Sequence, residues 1–297
     1  MPVSETHSSR RAEYRIERRV EARGPGKVFV RSAASEAARP FLTTIWERER
    51  FAEKRFAGKA RVIAGEWEGD SLVYPFLGQP TLEQQIGAAI EQGSADFGLS
   101  LVQAYAAFLA GLPSSRCVPS RFFDFLGCAT AAGEAPVACV DFGPYDCIPR
   151  NLIFEGGGWT VLDLEWTFDF PIPVEFLIWR GVTSLVHALQ TAIQQRASRE
   201  APVVLYRGFG RTRLYLPLAW FEALDIGALD VKKFSIWEGL FYRKVLSGDA
   251  LRSGPLRLVA KPKVYGPVPK PDGLVVGLEE LCKRTAGVAR RCLNKLR

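Results

Sequence analysis

Hydrophobic positions in the first quarter of the chain fall in short runs bounded by glycine, proline and charged residues. Runs of this length with interspersed polar positions predict β-strands, and they occur at residues 14–20, 27–31, 61–64 and 71–76. A Gly-Pro-Gly turn separates the first two runs. The pattern therefore predicts a small strand-rich unit near the start of the chain.

Between the second and third of these strands, apolar residues recur with the period of an α-helix. The predicted helix begins after Ser35 as its N-cap and ends near Phe56, with Ile45 and Ala52 on its apolar face. Glu49 falls on the same face, and a carboxylate in that position needs a polar partner. A second interpretation assigns Glu49 to the charged surface of the helix, and the sequence leaves both open.

Helical spacing dominates the rest of the chain. Helices are predicted at residues 81–92, 96–111 and 174–195, and one or two more within residues 218–246. A strand-rich beginning followed by a helical remainder predicts an α+β fold. The second of these helices carries an apolar stripe that we expect to be buried, formed by Phe97, Leu101, Tyr105, Phe108 and Leu112.

A predicted hairpin in the middle of the chain carries polar residues at its ends. Two apolar runs, 152–154 and 159–162, flank three consecutive glycines. Asp146 and Asn151 precede the first run, and Asp163 follows the second. Because a hairpin places its two ends side by side, we expect these three side chains to converge at one edge of a small sheet.

Asp146, Asn151 and Asp163 are of the types that phosphoryl transfer requires. Mg²⁺ prefers oxygen ligands and is held by one or two carboxylates together with substrate phosphates. A further carboxylate orients the accepting hydroxyl and takes its proton. An Asp, an Asn five residues later and a second Asp after a hairpin form the catalytic signature of kinases. An ordinary hairpin with polar ends is the alternative interpretation.

On these residues the chain resembles the protein-kinase-like superfamily. Its Asp-x-x-Pro-x-Asn loop and its Asp-Leu-Glu sequence are similar to the aminoglycoside and choline phosphotransferase branch, and the Phe-Pro-Ile-Pro-Val and Trp-Arg sequences that follow resemble kinase-like domains of bacterial O-antigen and other polysaccharide-modifying enzymes. The resemblance implies a two-lobed fold with a small strand-rich N-lobe and a mainly helical C-lobe, and the cofactors ATP and Mg²⁺. It implies Asp146 as the catalytic residue, and Asn151 and Asp163 as the metal ligands.

The resemblance also implies a cation on the second strand that binds the nucleotide phosphates. Kinases use a lysine there, whereas this position holds Arg31, and Lys27 lies at the start of the strand. Glu49 is the expected ion-pair partner of Arg31, with Glu47 as the alternative. Few glycines precede Arg31, and one strand of the usual phosphate-binding hairpin is missing from the pattern.

A hinge between the two lobes is implied at residues 74–78, where the chain passes from the last strand to the next helix. Backbone groups near Tyr74 and Phe76 would bind the adenine there. A plain connection between strand and helix fits these residues equally well. Further along, Arg180 is an interior charge, for which acceptor binding and bracing of the catalytic loop both remain open.

Composition limits the class of protein. The chain has 297 residues, of which 47% are hydrophobic, as expected for a globular protein. No apolar run is long enough to span a membrane, and the first twenty residues lack the apolar core of a signal peptide, so we expect a cytoplasmic protein. Six cysteines without a CxxC pair and two histidines argue against a zinc site and a Ser-His-Asp hydrolase.

The expected organisation is a flexible arm (1–12), an N-lobe (13–78), a C-lobe (79–250) and a basic C-terminal extension (251–297). The net charge of +7 favours anionic partners. Nucleotide and a small-molecule or saccharide acceptor are the implied partners. The basic extension would suit an anionic surface at the inner membrane, and a solvated helix end is the alternative interpretation. Motifs for nucleic-acid binding are absent from the sequence, which argues against that partner.

Two functions therefore remain. The first is an ATP- and Mg²⁺-dependent phosphotransferase that acts on a hydroxyl of a small molecule, a sugar or a cell-surface polysaccharide. The second is a pseudokinase or scaffold domain in a polysaccharide or lipid-linked pathway, which Arg31 and the sparse glycines favour. A fragment of a larger polysaccharide enzyme is a third possibility.

Overall fold

A computed structural model of the chain describes residues 4–6, 9–128, 134–196, 200–207, 210–217, 223–224 and 231–246. The predicted basic extension at 251–297 lies outside the described residues.

The first part of the chain forms an antiparallel sheet of five strands in the order β1-β2-β3-β6-β5. A tight turn at Gly24, which has a positive φ of 56°, joins β2 to β3. The register of β2 against β3 places Arg18 directly opposite Arg31. The five strands are β1 (Ser4–Thr6), β2 (Ile16–Arg23), β3 (Gly26–Ala33), β5 (Glu66–Glu68) and β6 (Ser71–Pro75).

Two predicted features of this part differ in the structure. Within the expected flexible arm, residues 4–6 form β1 and pair with β2. Residues 61–64 and 71–76 were expected to form two strands joined by a turn. In the structure β4 (Arg61–Val62) pairs with a later strand outside this sheet, and β5 is the strand that pairs with β6. The turn between β5 and β6 occurs at Gly69, whose positive φ of 57° suits glycine.

Helix α1 (Arg39–Arg55) follows a short 3-10 turn, Glu36–Ala38, and packs on the sheet. Ser35 makes no side-chain capping bond, and Pro40 stands in the first turn of α1, a position where its missing N–H costs nothing. The buried face of α1 contains Ile45, Glu49 and Ala52, as the periodicity predicted. Glu49 is therefore inside the protein rather than on its charged surface.

The predicted hairpin is formed by β10 (Leu152–Glu155) and β11 (Gly158–Val161). Strand β4 adds to it in parallel through β11, and the N–H of Ile63 donates to the main-chain oxygen of Val161 at 3.0 Å. This pairing attaches the segment after α1 to the hairpin that carries Asp163.

The remaining described elements are mainly helices with small sheets between them. Thr81 begins α2 with a capping box that it forms with Gln84, and Phe97 in α3 is 57% exposed, unlike the buried remainder of the predicted stripe. The helices are α2 (Leu82–Glu91), α3 (Ala95–Ala110), α4 (Ser120–Leu126), α5 (Val174–Arg196) and α6 (Val231–Val245). The strands are β7 (Ser114–Cys117), β8 (Val137–Val140), β9 (Gly143–Pro144), β12 (Thr167–Phe168), β13 (Ile172–Pro173), β14 (Glu200–Arg207) and β15 (Gly210–Pro217).

The predicted α+β class is confirmed, with a five-stranded antiparallel sheet in the first part of the chain and most of the helices in the second. A hydrophobic core extends from the N-terminal sheet and α1 to α5 and α6. Among the described residues, no helix is long and apolar enough to cross a membrane.

Candidate active site

The hairpin brings the ends of its strands together as the sequence predicted. Leu152 pairs with Val161, and the N–H of Leu162 donates to the main-chain oxygen of Asn151 at 2.8 Å. Asp163 follows directly, with a positive φ of 48°, the sole non-glycine residue with positive φ among those described. Such a backbone conformation is costly for a residue with a side chain and is often retained at functional sites.

Asp146 is fixed by two contacts. Its Oδ2 accepts a hydrogen bond of 2.8 Å from the N–H of Trp166, and its Oδ1 lies 3.7 Å from Nη2 of Arg180. Burial raises the pKa of Asp146 to about 7, with Arg180 opposing the shift and Asp163 adding to it. A carboxylate with a pKa near neutrality is suited to take a proton.

Asn151 is anchored to the same loop. Its Nδ2 donates to the main-chain oxygen of Asp146 at 2.9 Å. The bond uses the nitrogen of the amide and leaves the oxygen as the candidate ligand for a cation. The loop that separates these residues is thus held by its own side chain, and a short 3-10 helix, Pro149–Asn151, sets the spacing.

Asp163 faces two guanidinium groups. Nη2 of Arg31 lies 2.7 Å from Oδ1, and Nη2 of Arg18 lies 3.2 Å from Oδ2. Burial acts to raise the pKa of this carboxyl group, but the charges of Arg18 and Arg31 outweigh burial and hold the pKa well below its usual range. Asp163 is therefore ionised, and both of its oxygens meet positive charge.

Arg31 forms the ion pair with Glu49 that the sequence suggested. Both side chains are almost completely buried, and Nη1 of Arg31 lies 3.3 Å from Oε1 of Glu49. Glu49 also accepts hydrogen bonds of 2.9 Å from the hydroxyl of Tyr74 and from the N–H of Gly65. Burial raises the pKa of Glu49 to about 7, and the charge of Arg31 opposes that shift. Glu47, the alternative partner, is exposed.

Tyr74 and Phe76 have different surroundings. The ring of Tyr74 is buried and lies 4.8 Å from the guanidinium carbon of Arg31. Phe76 is 45% exposed, and Nζ of Lys27 lies 5.7 Å from its ring centroid. The side chain of Tyr74 thus supports the Arg31 cluster, while an adenine site on the backbone near Phe76 stays a prediction.

Glu165 lies two residues after Asp163, a position from which the sequence predicted contact with a metal or with the acceptor. Glu165 is 1% exposed and forms ion pairs with Arg10 and, at 2.5 Å, with Nη2 of Arg18. Arg48 of α1 donates to the main-chain oxygen of Glu165 at 2.7 Å and lies over the ring of Trp166 at 5.1 Å. The Asp-Leu-Glu segment is therefore held by three arginines of the N-terminal part, through both the side chain and the main chain of Glu165.

Arg180 braces the loop that carries Asp146. Its Nη1 donates to the main-chain oxygen of Tyr145 at 2.5 Å, and its guanidinium lies 3.8 Å from the centroid of the Tyr145 ring. Glu238 of α6 lies 3.9 Å from its Nε. Since Arg180 is 5% exposed, these contacts favour the bracing role over direct contact with an acceptor.

The side-chain oxygens of Asn151 and Asp163 are the type of ligand atom that Mg²⁺ prefers. An amide oxygen and an ionised carboxylate on adjoining strand ends match the few protein ligands that Mg²⁺ takes alongside phosphates. The strained backbone of Asp163 is a second sign of a functional position. Within the described part of the chain, no group of three or more His, Cys, Asp or Glu side chains is arranged to hold a metal.

Comparison with solved structures finds phosphotransferases at low similarity. Choline kinase LicA from Streptococcus pneumoniae has a TM-score of 0.35 and 9% identity, over 80% of this chain and 90% of that chain. Macrolide 2'-phosphotransferase MphH from Brachybacterium faecium has a TM-score of 0.31 and 10% identity, over 67% and 78%. No protein-family model and no curated protein matches the sequence significantly. Similarity at this level carries no functional weight for this chain.

Proposed function

We propose that this protein is a phosphotransferase that moves a phosphoryl group from ATP to a hydroxyl group, with Asp146 as the catalytic residue. The observation that carries the proposal is the convergence of Asp146, Asn151 and Asp163 at the hairpin ends, beside the buried pair of Arg31 and Glu49. Ordinary polar hairpin ends would not require a buried ion pair and a strained aspartate in the same place.

Asp146 would orient the acceptor hydroxyl and accept its proton as the bond from the hydroxyl oxygen to the γ-phosphorus forms and the bond from that phosphorus to the bridging oxygen breaks, with ADP as the leaving group. Its raised pKa, about 7, leaves part of the population ionised at neutral pH and able to take the proton. Trp166 and Arg180 hold the carboxylate in one orientation, which is the main requirement of a reaction that depends on positioning.

Asn151 and Asp163 would hold Mg²⁺, which supplies neutralisation of the charge on the transferring phosphate when it is bound. Arg31 would contact the phosphates from β3, kept in place by Glu49 and Tyr74. The backbone near Phe76 would bind the adenine. A small molecule, a sugar or a polysaccharide would be the acceptor, and the polysaccharide option is supported by the sequence resemblance alone.

A non-catalytic pseudokinase is the second candidate, and a specific observation favours it. Both oxygens of Asp163 face guanidinium groups, and an arginine stands where the resemblance implies lysine. Arginine binds phosphate as a planar fork rather than as a point charge, so the geometry of the phosphates would differ. Such a protein would bind a nucleotide but would not catalyse phosphoryl transfer.

The test combines turnover and binding. Wild type and Asp146→Asn are compared for ATP consumption with a panel of hydroxyl acceptors, and for thermal stabilisation by ATP with and without Mg²⁺. We expect turnover to fall about 10²- to 10⁴-fold in the variant while stabilisation by nucleotide is kept. Asp169→Asn is the matched control, since Asp169 is exposed and pairs with Arg121 at the surface.

Equal turnover in wild type and Asp146→Asn would refute the catalytic assignment. Stabilisation by nucleotide without turnover on any acceptor would support the pseudokinase. Absence of both turnover and nucleotide binding in wild type would refute the two candidates together.

A further inference from the structure

We propose that Arg18 is a second phosphate-binding residue and that Arg18 and Arg31 together form a guanidinium clamp for the terminal phosphates of a nucleoside triphosphate. This inference rests on the proposed nucleotide binding and adds to it a residue outside the kinase-like pattern. The two arginines are directly opposite each other on β2 and β3, and both contact Asp163.

Unsatisfied donors point to an anionic ligand at this position. Nε of Arg18 and Nε of Arg31 are both buried, and neither has a hydrogen-bond acceptor among the described residues. Buried donors without an acceptor are rare because each costs the desolvation of an N–H group. Phosphate oxygens match the fork geometry of guanidinium groups and would supply the acceptors.

Arg18 can reach a ligand without leaving a buried charge unpaired. Its side chain is 18% exposed, so it borders solvent, unlike Arg31 at 3%. If Arg18 turns from Glu165 to a phosphate, Glu165 keeps its ion pair with Arg10. Asp163 likewise keeps the contact with Arg31. Removing one partner of a buried pair is costly only when the other is left alone.

The connection between β2 and β3 explains why side chains would be needed for this task. Glycine-rich loops bind phosphates through several backbone N–H groups. Here the two strands are joined by a tight turn in which Arg23 pairs with Gly26, and Gly24 is the only other glycine that precedes Arg31 in the sequence. A second guanidinium group on the sheet would supply donors that a long loop supplies elsewhere.

The experiment measures the affinity of ATP and of AMP by calorimetry, in EDTA and in Mg²⁺. AMP lacks the terminal phosphates, so it reports on the rest of the nucleotide site. We expect Arg18→Gln to weaken ATP binding about tenfold or more, with a change under about twofold for AMP. The ATP effect should be present in EDTA, because the clamp acts without metal.

Arg19→Gln is the matched control. Arg19 is the next residue on β2, and its side chain contacts Glu21 at 2.6 Å and Ser32 at 2.9 Å instead of the site. Arg18→Lys provides a second variant that keeps the charge opposite Glu165, and it should show a smaller loss for ATP than Arg18→Gln because lysine lacks the fork.

Each outcome separates this inference from the proposed function. A loss confined to ATP in Arg18→Gln supports the clamp. Equal affinities in Arg18→Gln and Arg19→Gln, or tighter ATP binding in Arg18→Gln, would overturn the clamp and leave nucleotide binding intact. No binding of either nucleotide to wild type, with or without Mg²⁺, would instead overturn the proposed function.

Discussion

Truncation of Glu49 tests the buried cluster that places Arg31 in the site. Glu49→Ala removes the carboxylate that pairs with Arg31 and accepts hydrogen bonds from Tyr74 and from the N–H of Gly65. Glu49 is completely buried, so water cannot replace the lost partner. The variant leaves a buried guanidinium group whose remaining carboxylate partner is Asp163.

The expected loss of stability follows from these contacts. Breaking a buried ion pair by removing one partner costs about 3–5 kcal/mol. An unsatisfied buried donor adds about 1–3 kcal/mol, while the remaining contact of Arg31 with Asp163 and the higher helix propensity of alanine offset part of this sum. We therefore expect Glu49→Ala to lower the free energy of unfolding by about 3–5 kcal/mol.

Urea unfolding followed by circular dichroism measures this difference. Glu53→Ala is the control, because Glu53 lies one turn further along α1 and pairs with Arg50 in an exposed bridge of 2.9 Å. Exposed pairs contribute at most about 1 kcal/mol. If Glu49→Ala were no more destabilising than Glu53→Ala, the cluster around Arg31 would not have the energetic role assigned to it.

The pKa of Glu49 gives a pH dependence of known sign. Burial raises the pKa from 4.5 to about 7, so between these values the folded protein retains a proton that the unfolded chain has lost. The stability contributed by this group is therefore lost as pH rises through that window. Glu49→Gln removes the titration, and wild type should lose stability relative to this variant from pH 4.5 to about 7. A difference that is constant with pH would contradict the raised pKa.

Two further predictions concern the scaffold of the site. Gly181→Ala would place a Cβ 1.8 Å from the hydroxyl of Tyr105, so we expect the free energy of unfolding in urea to fall by about 1–3 kcal/mol. Gly78→Ala is the control, because a Cβ there meets no atom within 4 Å and should be nearly neutral. Equal effects of the two variants would contradict the close packing of α3 on α5. Thr81→Ala removes the capping box of α2 and should lower the free energy of unfolding by about 1 kcal/mol. Ser94→Ala at the start of α3 should lower it much less, because the Ser94 side chain makes no capping bond. The same unfolding midpoint for both variants would show that the cap contributes nothing.

Local patterns were sufficient to predict the geometry at the centre of the candidate site. The runs around the three glycines set the hairpin, and a hairpin of fixed register brings Asn151 next to Asp163 whatever the rest of the chain does. The helical period likewise placed Glu49 on the buried face of α1. Both inferences needed only spacing, because the backbone geometry of one element decides which side chains share a face.

The position of Arg18 opposite Arg31 could have been predicted from the sequence, but the strand pattern alone did not reveal it. A tight turn at Gly24 and Pro25 pairs Arg23 with Gly26, and counting outward from that pair places Arg18 opposite Arg31. Its contact with Glu165 could not be counted in this way, since the two residues are 147 positions apart. The prediction that Phe97 is buried was wrong, also because of contacts between distant segments. Periodicity assigns a residue to one face of a helix, but it does not say how far the neighbouring elements cover that face.

The position of α1 links the sheet to the Asp-Leu-Glu segment through two consecutive residues. Glu49 holds Arg31, which contacts Asp163, and Arg48 donates to the main-chain oxygen of Glu165 and lies over the ring of Trp166. The N–H of Trp166 in turn holds the carboxylate of Asp146. A displacement of α1 by an ångström or two would therefore weaken the contacts of Arg31 and of Asp146 at once, because both sets of contacts depend on neighbouring positions of one helix turn.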